Sequence, residues 1–171
     1  NYDIGGKLHF SFNDENSFWA DAFHSNQTYS NQNDRLGTQD TPSRARGYQD
    51  ELEFNREQYS LGHDGNYDFG IWKTYVSQTK TETIGRTIPS NTFPNNADAG
   101  RDRKLENTDF VADSHLITTL DNHKLTLGAE YKKAENADDI AGIGAKFDKD
   151  SFSFYAEDEW SLLDNLHFTF G

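Results

Sequence analysis

Apolar and polar residues alternate strictly along the first part of the chain. From residue 2 to residue 12 the even positions carry Tyr, Ile, Gly, Leu, Phe and Phe, and the odd positions carry Asp, Gly, Lys, His and Ser. A period of two places the two sets on opposite faces of a β-strand, whereas a helix would scatter them around its circumference. Residues 2–12 are therefore predicted to form a strand with one apolar and one polar face.

The same alternation recurs further along the chain. It is regular in residues 123–132 and 151–160 and in a run that begins at Leu166. Noisier strands are predicted near 17–31, 49–63, 67–83 and 106–120. In the segment 67–83 the apolar phase changes after Ile71, which indicates either a β-bulge or an error in the predicted register. About eight strands and no helix are predicted.

The connections between these strands fall into two length classes. Short connections rich in Asp, Asn and Gly, which are typical of hairpin turns, are predicted at 13–16, 64–66, 121–122 and 164–165. Long polar connections, which together hold all three prolines, are predicted at 32–48, 84–105 and 135–149. Short and long connections alternate strictly, so all short turns are expected at one end of the sheet and all long loops at the other.

Composition narrows the class of β-protein. Only 33% of the residues are hydrophobic and the net charge is −13, yet 14% are aromatic, and disordered chains are poor in aromatic residues. An outer-membrane β-barrel explains this combination, because half of each strand faces lipid and half faces a wet lumen. A soluble antiparallel sandwich or lipocalin-like barrel, with its apolar face inward, remains the alternative at this point. The acidic charge disfavours nucleic-acid binding, and the absence of Cys excludes disulfides and thiolate zinc sites.

Two motifs in the C-terminal half resemble a known family. Residues 123–131 (HKLTLGAEY) and 154–171 (FYAEDEWSLLDNLHFTFG) resemble, in that order, a strand and a hairpin of TonB-dependent outer-membrane receptors. Residues 68–73 (DFGIWK) and 81–86 (TETIGR) are similar to a hairpin and a loop of the ferric-enterobactin and colicin receptor branch. The resemblance covers residues 50–171 well and residues 1–49 loosely.

The resemblance implies an all-β, antiparallel up-and-down transmembrane β-barrel of roughly 22 strands around a plug domain. No plug and no TonB-box-like leader occur in the sequence, and the strand from Leu166 has about six residues, where a spanning strand needs about 9–11. Residues 1–171 are therefore expected to be an internal segment of about eight consecutive strands of that larger barrel. A self-contained eight-stranded outer-membrane barrel with a structural or adhesive role is the alternative.

The resemblance also implies a function, which is that of a receptor and not of an enzyme. The receptor would lie in the bacterial outer membrane, bind a ferric siderophore of the catecholate type and import it with energy coupled through TonB. Its partners would be outer-membrane lipid and lipopolysaccharide, the siderophore, TonB through parts missing from this chain, and bacteriocins or phages that exploit such loops. No cofactor, metal site or nucleic-acid partner is expected.

Ligand-binding residues are expected in the long loops. A ferric catecholate is anionic and aromatic, so it attracts Arg and Lys as well as aromatic rings. The candidate cations are Arg86, Arg101, Arg103 and Lys104 in one loop and Arg35, Arg44 and Arg46 in another, with Phe93, Tyr29 and Tyr48 as aromatic neighbours. Each cation could instead pair with a local carboxylate, such as Asp102, or with a lipopolysaccharide phosphate.

One cluster of carboxylates superficially suggests acid–base catalysis. Glu157 and Glu159 share the polar face of a predicted strand, while Asp158 lies on the apolar face near the aromatic residues. A carboxylate on the lipid side costs little close to the membrane interface. This cluster is interpreted as part of the barrel wall, and no catalytic residue is predicted.

Overall fold

The computed structural model describes residues 1–30, 48–88, 98–163 and 165–171. These residues form one antiparallel sheet and one 3₁₀ turn at Asp139–Ala141. Among them, no helix has the length and hydropathy that a membrane crossing requires. The strands are β1 (Tyr2–Ser11), β2 (Asn16–Ser30), β3 (Tyr48–Tyr67), β4 (Gly70–Arg86), β5 (Leu105–Leu120), β6 (His123–Asp138), β7 (Lys146–Leu163) and β8 (Leu166–Phe170).

The strands follow one another across the sheet in sequence order, and each pairs with the next along the chain. This confirms the predicted up-and-down arrangement of eight strands. Over the described ranges β1 and β8 form the two edges of the sheet and do not pair with each other. The sheet is therefore open, as expected for a segment of a larger barrel and not for a closed eight-stranded one.

The hairpin between β3 and β4 turns later than the sequence predicted. β3 continues through Asp64-Gly65-Asn66, so the turn predicted at 64–66 was wrong, and the chain reverses at Asp68-Phe69. Gly65 makes room for the ring of Tyr67, because a Cβ on Gly65 would come within 2.4 Å of that ring. From Ile71 to Thr83, β4 pairs in continuous register with both neighbours. The phase change after Ile71 thus comes from the displaced turn and not from a bulge.

Two of the predicted long loops are shorter than expected. β4 ends at Arg86 and β5 begins at Leu105, and β6 and β7 stay paired as far as Ala137 and Lys146. The extensions are mostly polar on both faces, so hydrophobic alternation gave no signal there, although backbone hydrogen bonding continues. Residues 32–47 of the remaining predicted loop lie outside the described residues.

One face of the sheet is apolar across its full width. A single register row on this face reads Leu8, Ala20, Leu61, Val76, Ala112, Tyr131 and Phe152. Large side chains on it remain exposed, with Leu8 at 76% and Phe154 at 78%. Within the described part of the chain, only Leu52, Ile88 and Ala137 are buried apolar residues. The sheet has almost no core of its own, and large apolar side chains stay exposed across this face, as on a surface that meets apolar surroundings.

The opposite face is polar, and aromatic rings on it lie over glycines of neighbouring strands. Trp19 covers Gly62 and Tyr155 covers Gly128, where an added Cβ would lie 2.1 and 2.2 Å from the rings. The Lys7 ammonium lies 4.7 Å from the ring centroid of Trp19, within the range of a cation–π contact. These contacts hold large side chains flat against the polar wall.

Candidate functional site at the long-loop end

A short paired stem positions the cations of the loop between β4 and β5. The Ile88 N–H donates to the Arg101 carbonyl at 2.9 Å, and the Arg103 N–H donates to the Arg86 carbonyl at 2.9 Å. Thr87 forms an isolated bridge with Asp102, and Ile88 is only 1% exposed. The hairpin therefore continues beyond the last residue of β4 and carries three of the candidate arginines on its stem.

Arg103 is held by a bidentate ion pair with Asp138 at the end of β6. Its Nε and Nη2 lie 2.7 and 2.6 Å from the two carboxylate oxygens, and the Arg103 side chain is 10% exposed. Partial burial raises the pKa of Asp138. Hydrogen bonds from Arg103 and from the Ile140 N–H lower it, as do the positive charges of Arg103 and Arg86, and together these effects exceed that of burial. The net result is an Asp138 pKa below its ordinary value, so this carboxylate is charged at neutral pH.

Lys104 is also occupied by contacts within the chain. Its backbone N–H donates to an Asp139 carboxylate oxygen at 2.8 Å, and its carbonyl accepts from the Asp139 N–H at 3.1 Å. Its Nζ lies 3.3 Å from Glu106, which also pairs with Lys80 at 3.0 Å. The backbone of Lys104 therefore ties its loop to the 3₁₀ turn that follows β6.

Arg101 differs from these residues because its side chain is 60% exposed. It pairs with Asp98, three residues earlier, within the same loop. An exposed ion pair of this kind contributes little to stability, so exchanging Asp98 for an anionic ligand would cost little. Arg101 is the candidate cation that the structure presents most openly at this end of the sheet.

The structure brings only part of the predicted set together. Arg103 and Arg86 both act on Asp138, whereas Arg101 and Lys104 have separate partners. Other members of the set lie outside the residues or side chains that the structure describes: Arg35, Arg44, Arg46, Phe93 and the side chain of Tyr48.

An aromatic pair on the polar face was not predicted from the sequence. Tyr29 and Phe54 meet edge to face at 5.6 Å between ring centroids, near the ends of β2 and β3 that lead to the long loop. The Arg56 side chain is exposed on the same face, two residues from Phe54. One feature of the sequence could have revealed the pair. Phe54 is a large apolar residue at a position where the alternation of β3 calls for a polar one.

The carboxylates at 157–159 are wall residues in the structure. Asp158 accepts hydrogen bonds from His123 Nδ1 at 2.9 and 3.0 Å, and the His123 ring stacks on Trp160 at an interplanar angle of 5°. Glu159 lies 3.5 Å from Lys124. Over the described ranges, no group of three or more His, Asp or Glu side chains is arranged to hold a metal ion.

Comparison with known proteins identifies the fold. The family model described as "TonB dependent receptor-like, beta-barrel" matches residues 1–171. A search of curated proteins gives no match. Among solved structures, a mutant of the ferric enterobactin receptor PfeA from Pseudomonas aeruginosa superposes with a TM-score of 0.79 at 22% identity over 98% of this chain.

Two further structures agree with this assignment. A PfeA mutant in complex with enterobactin superposes with a TM-score of 0.70 at 19% identity over 98% of the chain. The siderophore receptor PirA from Acinetobacter baumannii superposes with a TM-score of 0.66 at 20% identity over 95% of the chain. In each comparison this chain covers 27% of the other protein.

The family match, the open up-and-down sheet and its exposed apolar face agree with one another. Members of this family are outer-membrane β-barrel receptors and transporters, not enzymes. The resemblance found in the sequence motifs is thereby confirmed. The chain belongs to the TonB-dependent receptor family and matches its β-barrel.

Proposed function

We propose that this chain forms part of the wall and loops of an outer-membrane receptor that binds a ferric siderophore of the catecholate type and imports it with energy coupled through TonB. Family membership supports uptake across the outer membrane. The solved relatives are named as receptors for ferric enterobactin or another siderophore, and one of them is a complex with enterobactin. The proposed preference for catecholates applies to this chain what those names say of the relatives.

The observation that carries the proposal is the exposed Arg101 guanidinium on a stem fixed by buried contacts. A ferric catecholate carries negative charge on oxygen atoms, which guanidinium groups bind with charge-assisted hydrogen bonds. In this proposal Arg101 contacts the ligand, while Arg103 and the backbone of Lys104 hold the loop in place. Arg86, Arg35, Arg44 and Arg46 remain proposed contributors from the same end of the barrel.

The proposal also names the parts of the receptor and the molecules that would surround this chain. Residues 1–171 are one segment of the barrel, and a plug and the remaining strands belong to other parts of the parent receptor, through which TonB would act. Outer-membrane lipid and lipopolysaccharide surround the apolar face. Bacteriocins and phages are proposed as further ligands of the exposed loops.

Binding to the full-length receptor tests the proposal. We expect quenching of tryptophan fluorescence by a ferric catecholate and not by a ferric hydroxamate. Arg101→Ala should weaken catecholate binding about tenfold, the equivalent of one charge-assisted hydrogen bond. Lys124→Ala, which removes a cation near the short turn after β5, is the matched control and should bind normally. Equal affinity for both siderophore classes, or an unaffected Arg101→Ala variant, would contradict the assignment.

A further inference from the structure

The polar face carries a hollow across β1, β2 and β3. It encloses about 450 Å³, which lies within the range of about 300–1,000 Å³ that is typical of small-molecule sites. Two cations, one aromatic ring, one amide and one carboxylate line it: Lys7, Arg56, Phe23, Gln58 and Asp21. Because Gly5 has no side chain, its backbone forms part of the floor. The hollow therefore combines positive charge with an aromatic surface.

Lys7 and Arg56 form no ion pair with a carboxylate of the described residues. Most other Lys and Arg side chains in the described ranges do pair with Asp or Glu. Lys7 lies over the ring of Trp19 instead, although Asp21 is directly across from it on β2. Arg56 donates from Nη2 to the Gln58 amide oxygen at 3.0 Å. In a chain with 29 Asp and Glu against 16 Lys and Arg, two such cations in one hollow are available to an external anion.

Aromatic rings and cations follow one another along the same three strands, from the long-loop end inward. Moving inward on the polar face, successive rows of paired residues carry in turn Tyr29, Phe54, Arg56, Phe23, Lys7 and Trp19. The first two rings contact each other at 5.6 Å between centroids. The last ring lies 4.7 Å from the Lys7 ammonium. A continuous line of rings and positive charges thus leads from the loops to the hollow.

An aromatic anion fits this line better than a simple carboxylate does. Guanidinium and ammonium groups bind oxyanions through charge-assisted hydrogen bonds, and aromatic rings pack favourably against other rings. A carboxylate would contact the cations alone and would leave Phe23 and Trp19 unused. Of the nearby carboxylates, Asp3 accepts a hydrogen bond from Ser25, and Asp21 lines the hollow. Two cations against that one carboxylate leave the hollow with a net positive charge.

We propose that this hollow is a second, inner binding site for the ferric catecholate, which the ligand reaches after it has left the loops. Arg56 and Lys7 contact catecholate oxygens, and a catechol ring packs against Phe23. The inference rests on the proposed function, from which the ligand class and the position of the polar face inside the barrel are taken. It adds a site on the barrel wall to which none of the loop cations belongs.

Chemical footprinting of Lys7 in the full-length receptor tests this site. The receptor is treated with an amine-acetylating reagent, with and without ferric catecholate, and the acetylation rate of each lysine is measured by mass spectrometry. With the ligand at about ten times its Kd, Lys7 should react about tenfold more slowly, because only the unoccupied fraction is open to the reagent. Lys149, an exposed lysine on the same face, should react equally fast with and without the ligand.

Two substitutions should change the protection of Lys7 in opposite directions. Arg56→Ala removes one charge-assisted contact and should weaken binding at the inner site about tenfold. Asp21→Asn removes the carboxylate that opposes an anion and should strengthen binding there, which a merely structural role of Asp21 would not do. Lys73→Ala is the matched control, because Lys73 already pairs with Asp64 near the short-turn end, and it should leave the protection unchanged.

The outcomes distinguish the inner site from the proposed function. If the receptor binds no ferric catecholate at all, both are lost. If it binds the ligand but Lys7 reacts equally fast in its presence, only the inner site is lost. The inner site is also overturned if neither Arg56→Ala nor Asp21→Asn changes the protection. A zero-length carbodiimide cross-link from Lys7 to a carboxylate elsewhere in the receptor, which the ligand does not displace, would overturn it as well, because protein would then fill the hollow.

Discussion

Arg103 and Asp138 join two loops that are far apart in the sequence, through two hydrogen bonds of 2.7 and 2.6 Å. Asp138 also accepts from the Ile140 N–H at 3.0 Å, so the same carboxylate caps the 3₁₀ turn. The Arg103 backbone is paired with Arg86. The ion pair therefore couples the stem of one loop, which also carries Arg101, to the start of another.

Removing the Arg103 side chain should loosen both loops. Arg103→Ala leaves a largely buried carboxylate with one hydrogen bond fewer on each oxygen, which costs about 2 kcal/mol of local opening free energy. Arg103→Lys should recover only part of this loss, because an ammonium cannot bind both oxygens in the planar geometry of a guanidinium. Hydrogen exchange of residues 98–104 and 139–145 at pH 7 measures the effect.

Arg101→Ala is the matched control for that experiment. Its ion pair with Asp98 is exposed and local, so exchange in residues 139–145 should not change. If Arg103→Ala speeds exchange in its own loop but leaves residues 139–145 protected, the two loops are not coupled through Asp138.

The link between the loops should weaken in acid. The Asp138 pKa is lowered in the folded state, so its stabilising contribution is complete above the ordinary aspartate pKa of about 3.9 and is lost as the pH falls through the lower folded-state value. A spin label on Ala141→Cys reports the change, since the chain has no other Cys. Label mobility should rise below pH 4 and should already be high at pH 7 in an Asp138→Asn background. An unchanged spectrum between pH 7 and pH 3 would refute the link.

Gly85 should tolerate no side chain. Its φ of +87° lies in the left-handed region, and a Cβ there would come within 2.0 Å of the Glu51 carbonyl oxygen. Gly85→Ala should therefore destabilise the upper end of the β3–β4 hairpin by about 2 kcal/mol. Urea unfolding of the full-length receptor, with hydrogen exchange of residues 51–54 and 84–88, measures this cost.

Gly6→Ala provides the comparison for Gly85, because a Cβ at Gly6 would meet no atom within 4 Å. Its free energy of unfolding should stay within about 0.5 kcal/mol of the unmodified receptor. Equal stability of the two alanine variants would show that the approach of Gly85 to β3 is not constrained.

The Tyr155 hydroxyl should stabilise the polar wall. It donates to Asp113 at 2.9 Å, and Asp113 is only 7% exposed, with His115 on its other oxygen at 2.7 Å. Tyr155→Phe leaves one buried carboxylate oxygen without this donor, at a cost of about 1–3 kcal/mol in the free energy of unfolding. Tyr131→Phe, whose hydroxyl contacts the exposed Asp150, should cost much less. The prediction fails if urea unfolding gives both variants the same stability.

Much of the fold is encoded locally. The alternation from Tyr2 to Phe12 defines two faces, because successive side chains of a strand point to opposite sides whatever the strand pairs with. Because short and long connections alternate along the chain, all the long loops lie at one end of the sheet. Apolar residues that fall on the polar face could not be interpreted in this way. The role of Phe54, for example, becomes clear only when its contact with Tyr29 on the neighbouring strand is known.

Positions that depend on neighbouring strands could not be predicted in the same way. The turn at Asp68-Phe69 follows from the register of β3 with β2 and β4, in which Tyr67 lies over Gly65. The cationic loops could be located from the sequence, but only the tertiary structure distinguished Arg103, which is largely buried in an ion pair, from the exposed Arg101. The physical reason is that strand pairing and ion pairs join residues that are far apart in the sequence, as Arg103 and Asp138 are at a separation of 35 positions. Local periodicity does not encode such contacts.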